Sequence, residues 1–371
     1  MRRLTVMQLL PALESGGVER STLEISQALA AAGHRPLVVS AGGRLQASLE
    51  AGGGEHITLP IGQKSWRVLG QVRVLRHILQ REQVDIVHAR SRLPAWVGWL
   101  ALRGLPVAHR PRWMTTVHGL NSPSRYSRIM VSGEQVICVS NTVRAHVLTH
   151  YPQTDPARLH VVPRAIDPAA FPWRPRPDMQ ARQAVAALYP RLDGQGPLLL
   201  LPGRGTRLKG HADAVALLQQ LRAAGQDARL WMPGARELGR ERYLAELETQ
   251  AARADVADAL VMTPPTAAIA QAYAASDLVL QLSRKPEAFG RTVIEALAVG
   301  RPVLGWAHGG VGELLEELQP AGAVPPFEMP SLASQAQALL AQPPPGPLTM
   351  SYTLQRMQAA TLALYTRLVG D

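Results

Sequence analysis

A single cysteine, Cys138, leaves this chain no internal disulfide and no multi-cysteine metal site, and it fits a reducing compartment. Cys138 lies in the apolar run Val136 to Val139 and reads as a small core residue of a buried strand. No apolar run approaches the roughly 18 residues a bilayer-spanning helix needs. The segment Leu4 to Leu10 after Arg2-Arg3 is too short for a signal sequence and reads as a first strand. A cytoplasmic protein, peripheral on the inner face of the cytoplasmic membrane, is the expectation. Aromatic residues make up only 5% of the chain, which leaves little for base stacking, and no nucleic-acid recognition motif is present. No nucleic acid is therefore expected as a partner. No Gly-x-Gly-x-x-Gly follows the first strand, which argues against a nicotinamide dehydrogenase, and no Walker A loop occurs. There is no Asp-x-Asp and no His or carboxylate cluster with metal-ligand spacing, so a reaction without metal or other cofactor is expected.

Acidic residues are scarce in one half. Residues 1–180 hold 22 Lys+Arg against 11 Asp+Glu, while residues 181–371 hold 17 against 17. Between Asp85 and Glu134 there is no acidic side chain, yet the interval contains Arg90, Arg92, Arg103, Arg110, Arg112, Arg125 and Arg128. Such a block suits an anionic partner or surface. The segment Arg67 to Arg81 adds to it, with Val68, Val72, Leu75 and Leu79 on one helical stripe and Arg73, His77 and Arg81 elsewhere.

At 371 residues the chain can bury two cores. In the first half, Leu4–Leu10, a helix from about Val18 to Ala32 and a strand Pro36–Ser40 form one βαβ unit; strands at Asp85–His88, Trp113–Val117 and Gln135–Val139 follow. The pattern restarts at the apolar run Pro197–Leu201, with a helix from about Gly210 to Ala224 and further strands at Ala228–Met232, Leu260–Met262, Leu278–Leu282 and Val303–Trp306. Pro172, Pro175, Pro177 and Pro190 mark the interval between the halves as a linker. The expectation is an α/β protein of two doubly wound domains, 1–172 and 173–351, facing across a ligand cleft at the carboxyl ends of their strands.

One stretch concentrates the chemistry. Glu287-Ala288-Phe289-Gly290-Arg291-Thr292-Val293-Ile294-Glu295 places two carboxylates eight residues apart around a Phe-Gly turn, with a helix starting at Arg291 and Glu295 about two turns in. Free N–H groups at a helix start favour an anion, and a diphosphate there would set one carboxylate near a sugar and the other near a ribose. Upstream, Gly203-Arg204-Gly205-Thr206-Arg207-Leu208-Lys209-Gly210 makes a strand-to-helix turn from which Arg204 and Lys209 can face a diphosphate, or which is a solvated basic turn.

The combination of Glu-Ala-Phe-Gly, Glu-Ala-Leu-Ala-x-Gly-x-Pro-Val and Gly-Arg…Lys-Gly resembles the retaining glycosyltransferases of the GT-B fold, family 4-like, with their Glu-x7-Glu motif. The resemblance implies that Glu287 would contact hydroxyls of the transferred sugar and Glu295 those of the ribose. Gly290, Arg291 and Thr292 would hold the diphosphate with Arg204 and Lys209. Arg291 stands where Leu is common; it either helps neutralise the leaving group or is structural. By the same resemblance His118, ending the strand Trp113–Val117, would approach the donor sugar, so that His118 and Glu287 are the candidate catalytic residues; His88 would shape the cleft. Gly16, Gly17 and Arg20 match a Gly-Gly-x-Glu-Arg loop and Arg164 a Pro-Asn/Arg-Gly-x-Asp stretch, both facing the acceptor, with Ala165 where Gly is expected. Glu19 in that loop is either a loop ligand or a helix-start carboxylate. His308-Gly309-Gly310-Val311-Gly312-Glu313 matches an element near the donor or is a helix cap. A last helix, about 352–368, would cross back to the first domain.

The implied function is transfer of a hexose, UDP-linked by preference, with retention and without metal, to an anionic glycolipid such as the lipopolysaccharide core. Arg73, Arg81, Arg110 and Arg112 would meet lipid head groups or acceptor phosphates, or form a solvated basic face. The alternatives are a GT-B epimerase or phosphorylase and a basic nucleic-acid-binding protein.

Overall fold

The structure is a computed structural model that describes residues 2–14, 16–346 and 350–370. Ser15 of the Gly-Gly loop and Pro347 of the proline-rich segment lie outside the described residues. The chain divides into two compact units, one of residues 1–164 with 354–371 and the other of residues 165–353.

The first unit is built on β1 (Thr5–Leu9), α1 (Gly17–Ala31), β2 (Arg35–Ser40), α2 (Gln46–Ala51), β3 (Glu55–Thr58), α3 (Gln71–Arg81), β4 (Ile86–Ala89), α4 (Arg92–Arg103), β5 (Arg112–Val117), β6 (Gln135–Cys138), α5 (Asn141–His150) and β7 (Leu159–Val161). Its seven strands are all parallel, in the order β3-β2-β1-β4-β5-β6-β7. Central strands such as β4, Ile86-Val87-His88-Ala89, are buried on both faces, which is why they read as continuous apolar runs. The thiol of Cys138 is buried in β6, and burial pushes it up to about 12, so it is inert at neutral pH.

The second unit comprises α6 (Met179–Leu188), β8 (Leu198–Leu200), α7 (His211–Ala223), β9 (Arg229–Pro233), α8 (Glu241–Arg253), β10 (Leu260–Thr263), α9 (Ile269–Ala275), β11 (Leu278–Gln281), α10 (Arg291–Val299), β12 (Val303–Trp306), α11 (Gly309–Leu318), β13 (Ala323–Val324) and α12 (Met329–Ala341). Six parallel strands run in the order β10-β9-β8-β11-β12-β13. A core of Leu199, Leu217, Leu230, Leu280, Trp306 and their neighbours fills the space between this sheet and its helices. The two doubly wound α/β sheets are those of the GT-B fold. Among the described residues no helix is long and apolar enough to cross a membrane.

The last helix, α13 (Leu354–Val369), packs on the first unit. Its Gln358 amide donates to Glu24 O at 2.8 Å and its Tyr365 hydroxyl lies 2.6 Å from His88 Nδ1. The units divide between Arg164 and Ala165 where the sequence points to a boundary at 172. Residues 165–174 bond into the second unit: Ile166 N–H donates to Tyr352 O, Arg174 N–H to Val299 O, and the Phe171 ring packs on Tyr273. The prolines near 172–177 thus clothe the second unit.

Candidate functional site

In the second sheet the chain lays β9 and β10 on one side of β8 and then β11, β12 and β13 on the other. The order reverses between β8 and β11, and ligands of open α/β sheets bind at the carboxyl end of such a reversal. Two loops flank that point, 201–210 after β8 and 282–290 after β11. They are joined backbone to backbone, with Arg284 N–H donating to Leu208 O at 2.8 Å. Gly210 permits the approach: its φ is 75°, and a Cβ there would sit 1.9 Å from Leu282 O.

The second loop is also pinned to the start of α11. Gly310 N–H donates to Glu287 O at 2.7 Å and His308 Nε2 donates to Ser283 O at 2.7 Å. Gly290, with φ 108°, stands before α10 and supplies no side chain to cap it, while its carbonyl accepts from Val293 N–H at 2.9 Å. Within this frame Lys209 Nζ lies 2.6 Å from Glu287 Oε1, and the Ser283 hydroxyl donates to the same carboxylate. Arg204 is exposed on the first loop and has no ion-pair partner among the described residues. A half-buried carboxylate, two cations and the positive end of a helix without a side-chain cap therefore meet at the reversal, an arrangement that suits a phosphate and a polyhydroxyl group together.

Three residues sit differently from the sequence expectation. Glu295 is the fifth residue of α10, one turn in and not two, because the helix starts only at Arg291; it is 7% exposed and accepts from Tyr273 Oη at 2.9 Å. Arg291 turns along the unit, its Nη2 donating to Ala165 O at 2.6 Å and its Nε 3.5 Å from Glu295 Oε1. Its charge is thus committed to the 165 backbone and to Glu295. Lys209 stands in the site already paired with Glu287, its side chain partly exposed. Thr292 lies half-buried in the first turn of α10.

The first sheet reverses between β1 and β4. The loop after β1 ends at Gly16, φ 144°, with Gly17 opening α1 and no side-chain cap; Arg20 is exposed one turn on. After β5, the His118 ring meets Arg164, whose Nη2 donates to His118 Nδ1. Arginine has only donors, so Nδ1 accepts and the ring proton sits on Nε2, which is buried with no partner among the described residues. In that tautomer His118 Nε2 is a hydrogen-bond donor.

His88 does not shape a cleft. It is fully buried, with Nδ1 2.6 Å from Tyr365 Oη and Nε2 2.6 Å from Thr116 Oγ1, and it ties α13 to the sheet. Burial, with Arg90 and Arg164 nearby, holds its ring well below the usual imidazole value. The arginine block is not one surface. Arg90 is buried against Ser21, Arg103 lies over the Trp99 ring, Arg110 donates to Leu105 O, and Arg112 pairs with Glu134 at 3.0 Å. Among the described residues no group of three or more His, Cys, Asp or Glu side chains could hold a metal ion.

Sequence reasoning missed Ser283, Tyr273 and Tyr365, each of which acts through a partner that no local motif marks.

Residues 15–170 match Glycosyltransferase Family 4 and residues 190–353 match Glycosyl transferases group 1. A D-inositol 3-phosphate glycosyltransferase of Segniliparus rotundus is 32% identical over 257 residues, 64% of this chain and 55% of that protein. The match spans about half the length of the curated relatives. The crystal structure of a glycosyltransferase from Rickettsia africae superposes with a TM-score of 0.86 at 27% identity, covering 100% of both chains. HepE of Anabaena, solved with UDP and glucose, has the same fold at 20% identity, with a TM-score of 0.76 over 98% of this chain and 100% of that one. With residues 15–170 similar to Glycosyltransferase Family 4 and residues 190–353 to Glycosyl transferases group 1, the chain has the two-domain build of the family 4-like GT-B glycosyltransferases.

Proposed function

We propose that the protein transfers a hexose from a UDP-sugar to a hydroxyl of an anionic acceptor, with retention of configuration and without a metal. The observation that carries the donor half is the meeting of Lys209 and Glu287 at 2.6 Å beside the start of α10, at the reversal of the second sheet. The α10 N–H groups, Arg204 and Lys209 bind the diphosphate, and Glu287 and Glu295 accept from hydroxyls of the sugar and the ribose. The neutral Nε2–H of His118 donates to the transferred sugar. The bond from the anomeric carbon to the phosphate oxygen breaks while the acceptor oxygen bonds to the same face of that carbon. The acceptor's proton passes to the departing phosphate oxygen, whose charge the cations and helix start stabilise. UDP as the carrier is supported by its presence in the HepE structure, at the level of fold likeness.

The acceptor half of the proposal assigns Gly16, Gly17, Arg20 and Arg164 to an anionic glycolipid of the lipopolysaccharide-core kind, supported by the positive balance of the first unit. A second reading, a soluble inositol phosphate, is favoured by the name of the relatives at about 32% identity. Both carry phosphate and free hydroxyls.

Peripheral membrane contact belongs to the glycolipid reading, and of the four arginines the sequence points to only Arg73 stays with it. The apolar stripe of α3 is turned inward, with Leu75, Ile78 and Leu79 buried. Arg81 pairs with Glu82, Arg110 with the Leu105 carbonyl and Arg112 with Glu134. What projects is the 3-10 turn Trp66–Gly70, with Trp66 80% and Leu69 61% exposed beside Lys64, Arg67 and Arg73, in a stretch without acidic residues from 56 to 81. An indole and a leucine among cations suit an anionic bilayer surface.

The test is transfer from a panel of UDP-, GDP- and ADP-sugars, with EDTA present, to a core glycolipid and to inositol phosphates, reading the product's anomeric configuration by NMR. An inverted linkage, or dependence on a divalent cation, overturns the mechanism; absence of transfer from every sugar nucleotide overturns the function.

A further inference from the structure

Phe327 holds a backbone conformation that side chains avoid. Among the described residues three non-glycines have positive φ: Gln83 at 48°, Asp255 at 55° and Phe327 at 70°. Gln83 and Asp255 stand just past the C-terminal ends of α3 and α8, where a left-handed residue ordinarily closes a helix. Phe327 follows no helix. It lies in the turn Pro325-Pro326-Phe327-Glu328, closed by Glu328 N–H to Pro325 O at 3.3 Å. Proline second and a positive φ third is the pattern of a type II turn, whose third residue is normally Gly or Asn. A bulky residue there is an outlier, and such outliers persist where the surroundings make use of them. Core burial does not explain it, since Phe327 is 47% exposed.

The ring's neighbours do. Arg284 Cζ lies 5.0 Å from its centroid, the His308 ring meets it edge-on with centroids 6.0 Å apart, and the buried Trp306 ring lies tilted against it at 5.9 Å. Arg284 follows Ser283 directly, and His308 Nε2 donates to Ser283 O. The Ser283 hydroxyl donates to Glu287. Arg284 is fixed further by Asp213, 2.7 Å from its Nη1. Two of the three groups that the Phe327 ring packs against therefore adjoin Ser283, and Ser283 orients the carboxylate.

We propose that Phe327 is a positioning residue for Glu287: the strained turn braces Arg284 and His308 so that Ser283 and Glu287 keep the geometry needed at the transferred sugar. This rests on the reading of Glu287 as a sugar contact. It goes beyond that reading by assigning a residue on the loop after β13 to the reaction.

The experiment compares Phe327→Gly, Phe327→Ala and Phe327→Tyr in the full chain. Glycine suits the turn and alanine does not, so Phe327→Gly melts at a higher temperature than Phe327→Ala. Both lack the ring, so both lose about 10-fold in kcat, while the UDP dissociation constant stays within about twofold. Phe327→Tyr keeps the ring and the wild-type kcat. His308→Phe, which retains an aromatic partner but cannot donate to Ser283 O, loses kcat to the same extent and provides the test should the 327 variants not fold. Wild-type kcat in Phe327→Gly, or an activity loss that follows melting temperature across the series, overturns the assignment. So does a fall in UDP affinity in step with kcat. A Glu287→Gln control separates the two levels: if it leaves kcat unchanged, the reading of Glu287 has failed and the positioning role with it. If it abolishes turnover and Phe327→Gly does not, only the positioning role has failed.

Discussion

Lys209 Nζ and Glu287 Oε1 stand 2.6 Å apart, bridging the loop after β8 and the loop after β11. Each is about a quarter to a third exposed, so the pair is partly screened and serves placement more than stability. Glu287→Gln removes the charge and keeps the shape. Its kcat falls about 100-fold, and UDP binding holds or tightens because Lys209 is released toward the diphosphate. Steady-state kinetics with calorimetry of UDP binding checks this; weakened UDP binding with unchanged kcat would place Glu287 away from the sugar.

Glu295 behaves differently because it is buried and held by Tyr273. Tyr273→Phe removes one donor from a buried carboxylate and lowers stability by about 1–3 kcal/mol in urea unfolding. Glu295→Ala weakens UDP binding about 10-fold with a smaller effect on kcat at saturation. Equal affinity in Glu295→Ala and wild type would remove the ribose assignment.

Acid should weaken the fold in a defined window. His211 is buried at the start of α7, and burial lowers its ring to about 4; His88 is depressed by the same cause. A folded-state value below the unfolded value near 6.5 means the unfolded chain binds more protons between the two, so stability is full above about pH 6.5 and is lost as pH falls toward 4. For His211 alone the loss is on the order of 3 kcal/mol. Urea midpoints from pH 7 to pH 4.5 report it, and a flat profile would contradict neutral burial of both rings.

Trp66 offers its own probe of the membrane proposal. Vesicles rich in anionic lipid should shift its emission to shorter wavelength, and added salt should reverse the shift. Trp66→Ala with Leu69→Ala should cut vesicle partitioning about 10-fold or more. Binding that survives both changes would move the contact to another face.

Much of the fold is legible in the sequence because parallel central strands are continuous apolar runs, as in Leu198–Leu200 and Val136–Cys138. The edge strands β3, β7 and β13 are not, being two to four residues long and partly exposed. The periodicity of 67–81 reads as one helix, but Ser65 caps a 3-10 turn and α3 begins only after Gly70. At the site, motif spacing marks Glu287, Gly290 and Lys209. It cannot show that Lys209 is spent on Glu287, since that pairing depends on how two loops 78 residues apart are laid side by side. Phe327 carries a local signal, a bulky residue after Pro-Pro at a turn, which is readable only once the turn type is known.

The place of α13 on the first sheet bears on biosynthesis. The second unit is one uninterrupted segment and can fold as it leaves the ribosome. The first unit is begun earlier but lacks Tyr365, the partner of buried His88, until the whole of the second unit has been translated. The half of the protein made first is thus the half completed last.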